Sequence, residues 1–394
     1  MKRVIAVGIP AFLVAVFFAA QPAWSQPTSE NNARLKKGLK DYPEADTDGD
    51  GILTLKEARV FLKKAAGEEK KSSGGSGDSD KAIEVPKEEL DRDDLEKFEP
   101  EESGGKGIKM LFIGHSLVAP VESHFRKRVA PGAGLEGYES RMQYSGGKTG
   151  APLRHWNYTG GKQKTRPALM TGKWDCLAMG MYYYWSEVED ISRWIDFALK
   201  YNPAMKFYLQ DGWPAADGGG SNYGGNSREA KALREAAGET WKDVEKDDRG
   251  RKVLRFEAFE KAITALDKGM DVKLKALDKK YPGKVFSIRS SHAMLELRRL
   301  LDKKKKIPLI NRVLASSKRD RSSALYADQL HSGPAVIQLE GYLYLAAVHN
   351  RDPRKLPAIG KGEEARLDRL LRELAVKITV ENPWSGVKKA SDLK

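Results

Sequence analysis

The chain has 394 residues, more than one typical domain needs, and a single cysteine, Cys176, so an internally disulfide-stapled scaffold is excluded. Its formal charge of +14 suits a polyanionic partner such as nucleic acid, anionic lipid or acidic polysaccharide, without naming one.

The chain opens with a cationic pair, Lys2 and Arg3, an apolar run over residues 4–20, and Ala23-Trp24-Ser25, which puts small residues at the −3 and −1 positions. This layout predicts a secretory signal peptide over residues 1–25, cleaved near Ser25. The apolar run is only about as long as the shortest spanning helices, and no other run is long enough to span. The processed chain is therefore expected outside the cytoplasm, secreted or periplasmic, with no stable membrane insertion and a charge of about +12 once Lys2 and Arg3 are gone. In that setting the expected polyanion is an acidic polysaccharide rather than nucleic acid, for which no motif is present. The lysine run 303–306 reads as a solvated helix end.

Residues 26–66 read as a small helical module, with helical apolar spacing over 33–42 and 55–64. Residues 67–107, rich in Gly, Ser, Glu and Asp, bury too little to offset their ordering entropy and read as a flexible linker, with a weak helical stretch over 86–98. From residue 108 to the end, strands alternate with amphipathic helices. The strands are expected at Lys109–Gly114, 138–144, Cys176–Gly180, Lys206–Gln210 and 285–289. Helices are expected at Val188–Tyr201, 256–281, 334–348 and 363–376. Such alternation predicts βαβ units, a mostly parallel five-stranded sheet and an α/β domain. Cys176 falls in an apolar strand and reads as a core residue rather than a reactive thiol. A Gly-rich stretch, residues 215–226, follows the fourth strand and is either a ligand-binding loop or a surface insertion.

Between the two short helices of the N-terminal module stands Asp46-Thr-Asp-Gly-Asp-Gly-Ile-Leu-Thr-Leu-Lys-Glu57. Asp46, Asp48 and Asp50 offer carboxylate oxygens, Ile52 its carbonyl, Thr54 a direct or water-mediated ligand, and Glu57 two oxygens, while Gly51 allows the sharp turn. Calcium takes six to eight hard oxygen ligands, and this spacing supplies them. The module resembles the EF-hand family over residues 32–66, which implies calcium as the bound ion. EF-hands usually work in pairs and no second loop is present, so a stabilising or docking role is expected rather than sensing. No His/Asp cluster has the spacing of a catalytic metal, and no strand is followed by a nucleotide-binding glycine fingerprint.

The first strand of the larger domain ends in Gly114-His115-Ser116, and far downstream stand Asp328 and His331, three residues apart. A serine nucleophile needs a base for its proton, and that base needs an acid to fix its tautomer. These residues resemble the GDSL-type or SGNH hydrolases, flavodoxin-like three-layer α/β esterases, over residues 108–348. The resemblance implies Ser116 as nucleophile, His331 as general base and Asp328 as its orienter. It also implies an oxyanion donor from a glycine after the second strand, where Ser145-Gly146-Gly147-Lys148-Thr149 offers Gly147, with Gly150 as the alternative. The family's Gly-x-Asn after the third strand is here Gly180-Met181-Tyr182-Tyr183-Tyr184. Either a phenol, Tyr182 or Tyr184, takes over the missing amide, or the aromatic run is core. His115 stands where the family has Asp or Asn. His155, His124 and His292 read as structural or cleft-lining. Two functions follow: an exported, calcium-binding serine esterase acting on an ester-bearing carbohydrate or other small ester, or a non-catalytic, calcium-dependent polysaccharide-binding or surface-attachment protein on a degenerate form of the same fold.

Overall fold

The computed structural model describes residues 28–30, 35–36, 39–40, 42–48, 50–54, 57–58, 61, 92–101, 107–158, 162–181, 186–218 and 243–394. The expected signal peptide, most of the expected linker, Tyr182 to Tyr184 and residues 219–226 of the Gly-rich stretch lie outside the described residues. Among the described residues, no helix is long and apolar enough to cross a membrane. The chain divides into two compact units, Met1–Glu88 and Glu89–Lys394.

In the larger unit, β1 (Lys109–Gly114), β2 (Glu139–Tyr144), β3 (Cys176–Gly180), β4 (Lys206–Gln210) and β7 (Val285–Ile288) form one sheet in the order β2-β1-β3-β4-β7. Every pairing within it is parallel. This is the flavodoxin-type order, with helices on both faces, so the unit is a three-layer α/β domain. A parallel sheet covered on both sides needs strands that are apolar on both faces. β1 and β3 meet that requirement, each buried over nearly its whole length.

Period-two alternation sorts those strands into two cores. Met110, Phe112, Ala178, Tyr208 and Ile288 face one side, and Leu111, Ile113, Leu177, Met179, Phe207 and Leu209 face the other. The first side is covered by α2 (Ala119–His124), α7 (Ser290–Asp302), α8 (Pro334–His349) and α9 (Glu363–Glu381). The second is covered by α3 (Pro152–Trp156), α4 (Thr165–Met170) and α5 (Val188–Tyr201). The 25-residue α6 (Phe256–Lys280) serves both: Phe259 and Ile263 enter the first core, Met270, Leu274 and Leu277 the second. α8 is apolar nearly all round, as a helix packed between the sheet and α9 must be.

The expected strands and helices stand within a few residues of their sequence-derived bounds. Two small sheets were not foreseen: β5 (Val244–Lys246) with β6 (Lys252–Leu254), antiparallel, and β8 (Arg312–Leu314) with β9 (Ala324–Tyr326), parallel. These three-residue strands carry too little pattern to read. The domain also starts before residue 108. A short helix, α1 (Arg92–Glu96), leads into Phe98, which packs on the second core. The Phe98 carbonyl accepts from Trp174 Nε1 at 3.0 Å, and Arg141 donates to the carbonyls of Lys97 and Glu99 at 3.0 and 2.6 Å. The acidic composition hid this anchor because most of it is one aromatic ring and backbone groups, joined by a Glu99–Lys173 ion pair.

The smaller unit has its own miniature core of Leu35, Ala45, Leu53 and Ala58, with Leu39, Tyr42 and Phe61 against it. The backbone of buried Leu53 is satisfied from within the unit. Its carbonyl accepts from Ser29 N and its N–H donates to Ser29 Oγ, both at 2.9 Å, and Thr28 bridges Thr54.

A chain starting at Glu89 should unfold in one cooperative thermal transition. A chain starting at Gly107 should melt several degrees lower, since it loses Phe98 and leaves Trp174 Nε1 without its acceptor, a loss of about 1–3 kcal/mol. Equal melting temperatures for the two, followed by circular dichroism, would show that residues 92–101 add nothing to the domain.

Candidate functional site

In a parallel α/β sheet the crevice lies beyond the carboxyl ends of the strands, where the strand order reverses. Here the order reverses at β1, which lies between β2 and β3. Ser116 follows β1 by two residues, half-buried, in a turn whose Val118 and Ala119 amides both donate to the His115 carbonyl.

That turn is held tightly. The Gly114 carbonyl accepts from Ser145 N at 3.1 Å and from His155 Nε2 at 3.0 Å. His155 Nδ1 in turn accepts from Gln143 Nε2 at 3.1 Å, which fixes the ring as the Nε2–H tautomer. His115 is buried beside it: Nδ1 accepts from Leu117 N at 3.3 Å, which leaves the proton on Nε2, facing the Met181 carbonyl at 3.4 Å. Burial pushes both imidazoles down to about 4, so neither is charged at neutral pH. Two glycines make room for the turn. A Cβ on Gly150 would lie 2.6 Å from His115 Cβ, and one on Gly180 would lie 2.5 Å from Val118 Cγ2. Both contacts are closer than real Cβ atoms tolerate.

Asp328 and His331 sit in the loop between β9 and α8. His331 Nδ1 contacts both Asp328 oxygens, at 3.0 and 2.9 Å. Burial works against the Asp328 charge, but the His331 and Leu330 amides and the His331 ring hold its carboxyl below the usual range. The pair engages Nδ1, on a His331 side chain that is 41% exposed. The segment after β4 fastens this loop to the sheet edge. Ala216 N donates to the Gln329 carbonyl at 2.7 Å, Trp213 Nε1 to the Leu330 carbonyl at 3.0 Å, and Tyr326 Oη to the Pro214 carbonyl at 2.8 Å.

Of the expected triad, the structure therefore joins Asp328 to His331 and brings the pair to the edge that bears Ser116. Among the described residues, no hydrogen bond links Ser116 Oγ to His331 Nε2. Gly147, with φ of +53°, has nothing within 4 Å of where its Cβ would stand, whereas Gly150 lies against the Gly114–His115 backbone. Tyr182 is outside the described residues. His124 is half-buried on α2, and His292 Nε2 donates to Asp267 Oδ2 at 2.8 Å. Cys176 is buried in β3, where desolvation holds its thiol protonated up to about 12.

The sequence gives little warning of a second set of polar groups beneath the edge. Asp211, just past β4, is buried and accepts from Ser291 N and Oγ at 2.8 and 2.7 Å, with Arg289 Nη1 3.7 Å away. Burial, ahead of the opposing Arg289 charge, raises its carboxyl above the usual range. Gln210, the last residue of β4, donates to Glu340 at 3.2 Å and accepts from Tyr344 at 2.7 Å. Glu340 lies in the middle of α8, fully desolvated, and its carboxyl is raised well above the ordinary range. Its only sequence signal is a lone acid in an otherwise apolar helix.

In the smaller unit, carboxylate oxygens of Asp46, Asp48 and Asp50 lie within 4.8 Å of one another. At Asp48 the Asp50 amide favours the charged form, but desolvation and the nearby charges of Asp50 and Glu57 outweigh it and raise the carboxyl. Gly51, at φ +82°, makes the turn and donates to Asp46 Oδ2 at 2.8 Å. Glu57 lies outside that cluster. Its Oε2 accepts from Thr54 N and Oγ1 and its Oε1 from Thr47 N and Oγ1, while Glu57 N donates back to Thr54 Oγ1. Thr54 and Glu57 thus form a capping box at the start of the second helix.

No family model matches the chain, and no curated protein matches it. Among solved structures it is similar to a DUF4886 family protein from Bacteroides uniformis, at 13% identity and a TM-score of 0.45, over 73% of this chain and the whole of that one.

The neutral His155 ring makes a testable contribution to stability. Unfolded, it titrates near 6.5; folded, near 4. Between those values the unfolded chain binds a proton that the folded chain does not. The contribution is complete above about pH 6.5 and drains away as pH falls towards 4. Lowering the pH from 7 to 4.5 should therefore destabilise His155→Gln by about 2 kcal/mol less than wild type in urea titrations. An equal loss in both proteins would show that His155 is not held neutral.

Proposed function

We propose that the larger domain is a serine esterase of the SGNH type acting on an ester carried by a carbohydrate or other small molecule, and that the smaller unit is a single calcium-binding EF-hand. The observation that carries the first part is the Asp328–His331 pair, tied by the 213–216 segment to the same sheet edge that ends β1 in His115-Ser116.

In this reading, Asp328 holds the Nδ1 proton of His331 and leaves Nε2 as base. Ser116 Oγ attacks the ester carbonyl and its proton passes to His331 Nε2. The new Oγ–C bond forms as the carbonyl becomes an oxyanion. Collapse of that intermediate breaks the bond to the alcohol, which leaves with the proton from His331. Water then attacks the acyl-enzyme, gives its proton to His331, and the acid departs as Ser116 regains its hydrogen. The oxyanion needs fixed donors. We assign one to the backbone N–H of Gly150, in preference to Gly147, because Gly150 abuts the turn that carries Ser116. Tyr182 would supply a phenol in place of the family's amide. The surplus of basic residues suits an acidic polysaccharide as the molecule that bears the ester, and the N-terminal pattern suits a protein working outside the cytoplasm.

A second reading, a non-catalytic polysaccharide-binding protein, is favoured by the missing hydrogen bond between Ser116 and His331. Catalytic hydrogen bonds often close only when substrate arrives, which is why we prefer the enzyme.

The donor set of the smaller unit fits calcium. Three clustered carboxylates, one of them discouraged from ionising by its neighbours, supply hard oxygens and a concentration of negative charge that a divalent cation would relieve. Asp46, Asp48, Asp50, the Ile52 carbonyl and Thr54 would hold the ion. Glu57 would join them by exchanging its hydrogen bonds to Thr47 and Thr54 for the metal.

Ser116→Ala and His331→Ala should each remove nearly all hydrolysis of activated acetyl esters, and Asp328→Asn should cost about as much as a lost triad member, on the order of 10⁴-fold. Equal rates for wild type and Ser116→Ala at matched folded concentration would rule out serine catalysis and favour the binding protein. Calorimetry with calcium chloride should give one ion per chain, and Asp46→Ala should abolish binding. No heat up to millimolar calcium would remove the metal from the proposal.

A further inference from the structure

Beside the turn that carries Ser116 lies a cavity of about 50 Å³. Its wall is built by Met181 after β3, Gly212 after β4, and Leu266, Gly269 and Met270 on one face of α6. Both chain neighbours of Ser116 touch that wall. His115 Nε2 faces the Met181 carbonyl at 3.4 Å, and a Cβ on Gly212 would stand 3.4 Å from Leu117 Cδ1. We propose that this cavity is the acyl subsite of the enzyme, and that it accepts a short, unbranched acyl group of about two to four carbons. The assignment rests on the esterase reading and adds to it which half of the ester is bound where.

The chemistry of the lining separates the two halves of a substrate. Asp211 and Lys273 also border the cavity, but their polar ends are spoken for. Asp211 accepts from Ser291 N and Oγ, and Lys273 Nζ donates to Glu187 at 2.9 Å. What the cavity presents is carbon and thioether. A sugar placed there would strand its hydroxyls without partners, at a cost of about 1–3 kcal/mol each. An alkyl tail has no such groups and gains by leaving water. The alcohol side must instead be reached by His331, which protonates the departing oxygen and stands at the solvent-exposed rim.

Size sets the chain length. A water-sized sphere needs about 10–15 Å³ of such space, so the cavity has room for roughly four atoms. Acetyl, propionyl and butyryl groups are covered by this lining, whereas a long fatty acyl chain would extend past it into water and gain nothing from the added methylenes. Two methionines in the wall leave some adaptability, because a thioether side chain repacks easily.

Gly269 offers a way to test this without touching the triad. It lies inside α6, where a Cβ would meet nothing within 4 Å, and any side chain with better helix propensity than glycine should be accepted there. The experiment measures kcat/KM of the full chain on acetyl, butyryl, hexanoyl and octanoyl p-nitrophenyl esters, for wild type, Gly269→Leu and Met270→Ala. Thermal unfolding of each variant checks that it is folded. Wild type should favour acetyl to butyryl and lose at least about a hundredfold at octanoyl. Gly269→Leu should lower butyryl turnover about tenfold more than acetyl turnover, and Met270→Ala should raise hexanoyl relative to acetyl by about tenfold, as expected for one or two methylenes in an apolar pocket. If wild type hydrolyses these esters and neither folded variant changes the chain-length preference, the subsite assignment is wrong and the esterase reading stands. If wild type hydrolyses none of them, the esterase reading falls and the subsite falls with it.

Discussion

The turn at the end of β1 exists in this form only because two positions facing it have no side chain. Gly180 leaves the volume that Val118 occupies, and Gly150 leaves the volume taken by His115 Cβ and the Gly114 carbonyl. A methyl at either place would overlap atoms already there, and overpacking of a closed core typically costs 1–3 kcal/mol. Close approach also lets a few hydrogen bonds hold the turn rigidly. The Gly114 carbonyl takes two donors, one from the next strand's exit and one from His155. Ser116 inherits its position from this packing, and the cavity beside it is bounded by the same chain, through Met181 and Leu117.

Below that edge, the sheet tolerates acids that are normally kept at the surface. Glu340 is fully buried and Asp211 nearly so, and both are shifted towards the neutral form. A neutral carboxyl can both donate and accept, which suits Glu340 between Gln210 and the interior of α8. Asp211 has a different solution: the amide and hydroxyl of Ser291, at the first turn of α7, with Arg289 nearby. Together these groups tie the ends of β4 and β7 to α7 and α8, so the two helices that follow the sheet edge are held in register with it.

The segment after β4 couples that rigid edge to the loop of Asp328 and His331. Its contacts are a backbone amide, an indole N–H and a backbone carbonyl, none of which needs a particular side chain on the partner loop beyond the Tyr326 hydroxyl. The Asp328–His331 pair is then positioned by backbone geometry while its side chains stay half exposed.

The β1, β3 and β4 bounds and the alternation of strand with helix were legible in the chain because parallel strands buried on both faces must be continuous apolar runs, and such runs stand out. The Asp-x-Asp-x-Asp-Gly loop and the Asp328/His331 spacing were legible for a related reason: local turns place residues two to four apart in a way that hardly depends on the rest of the molecule. Strand order, by contrast, came only with tertiary structure, since nothing local to β1 says that β2 and β3 flank it. The same holds for Phe98, whose acidic neighbourhood concealed an anchor made mostly of one ring and backbone groups. His155 and Gly180 belong to this class too. Each acts on an atom far away in sequence, the Gly114 carbonyl and the Val118 side chain, and a contact between distant residues leaves no periodicity to read. The cavity beside Ser116 is the extreme case: four segments contribute to its wall and bounds, and only folding brings them to one place.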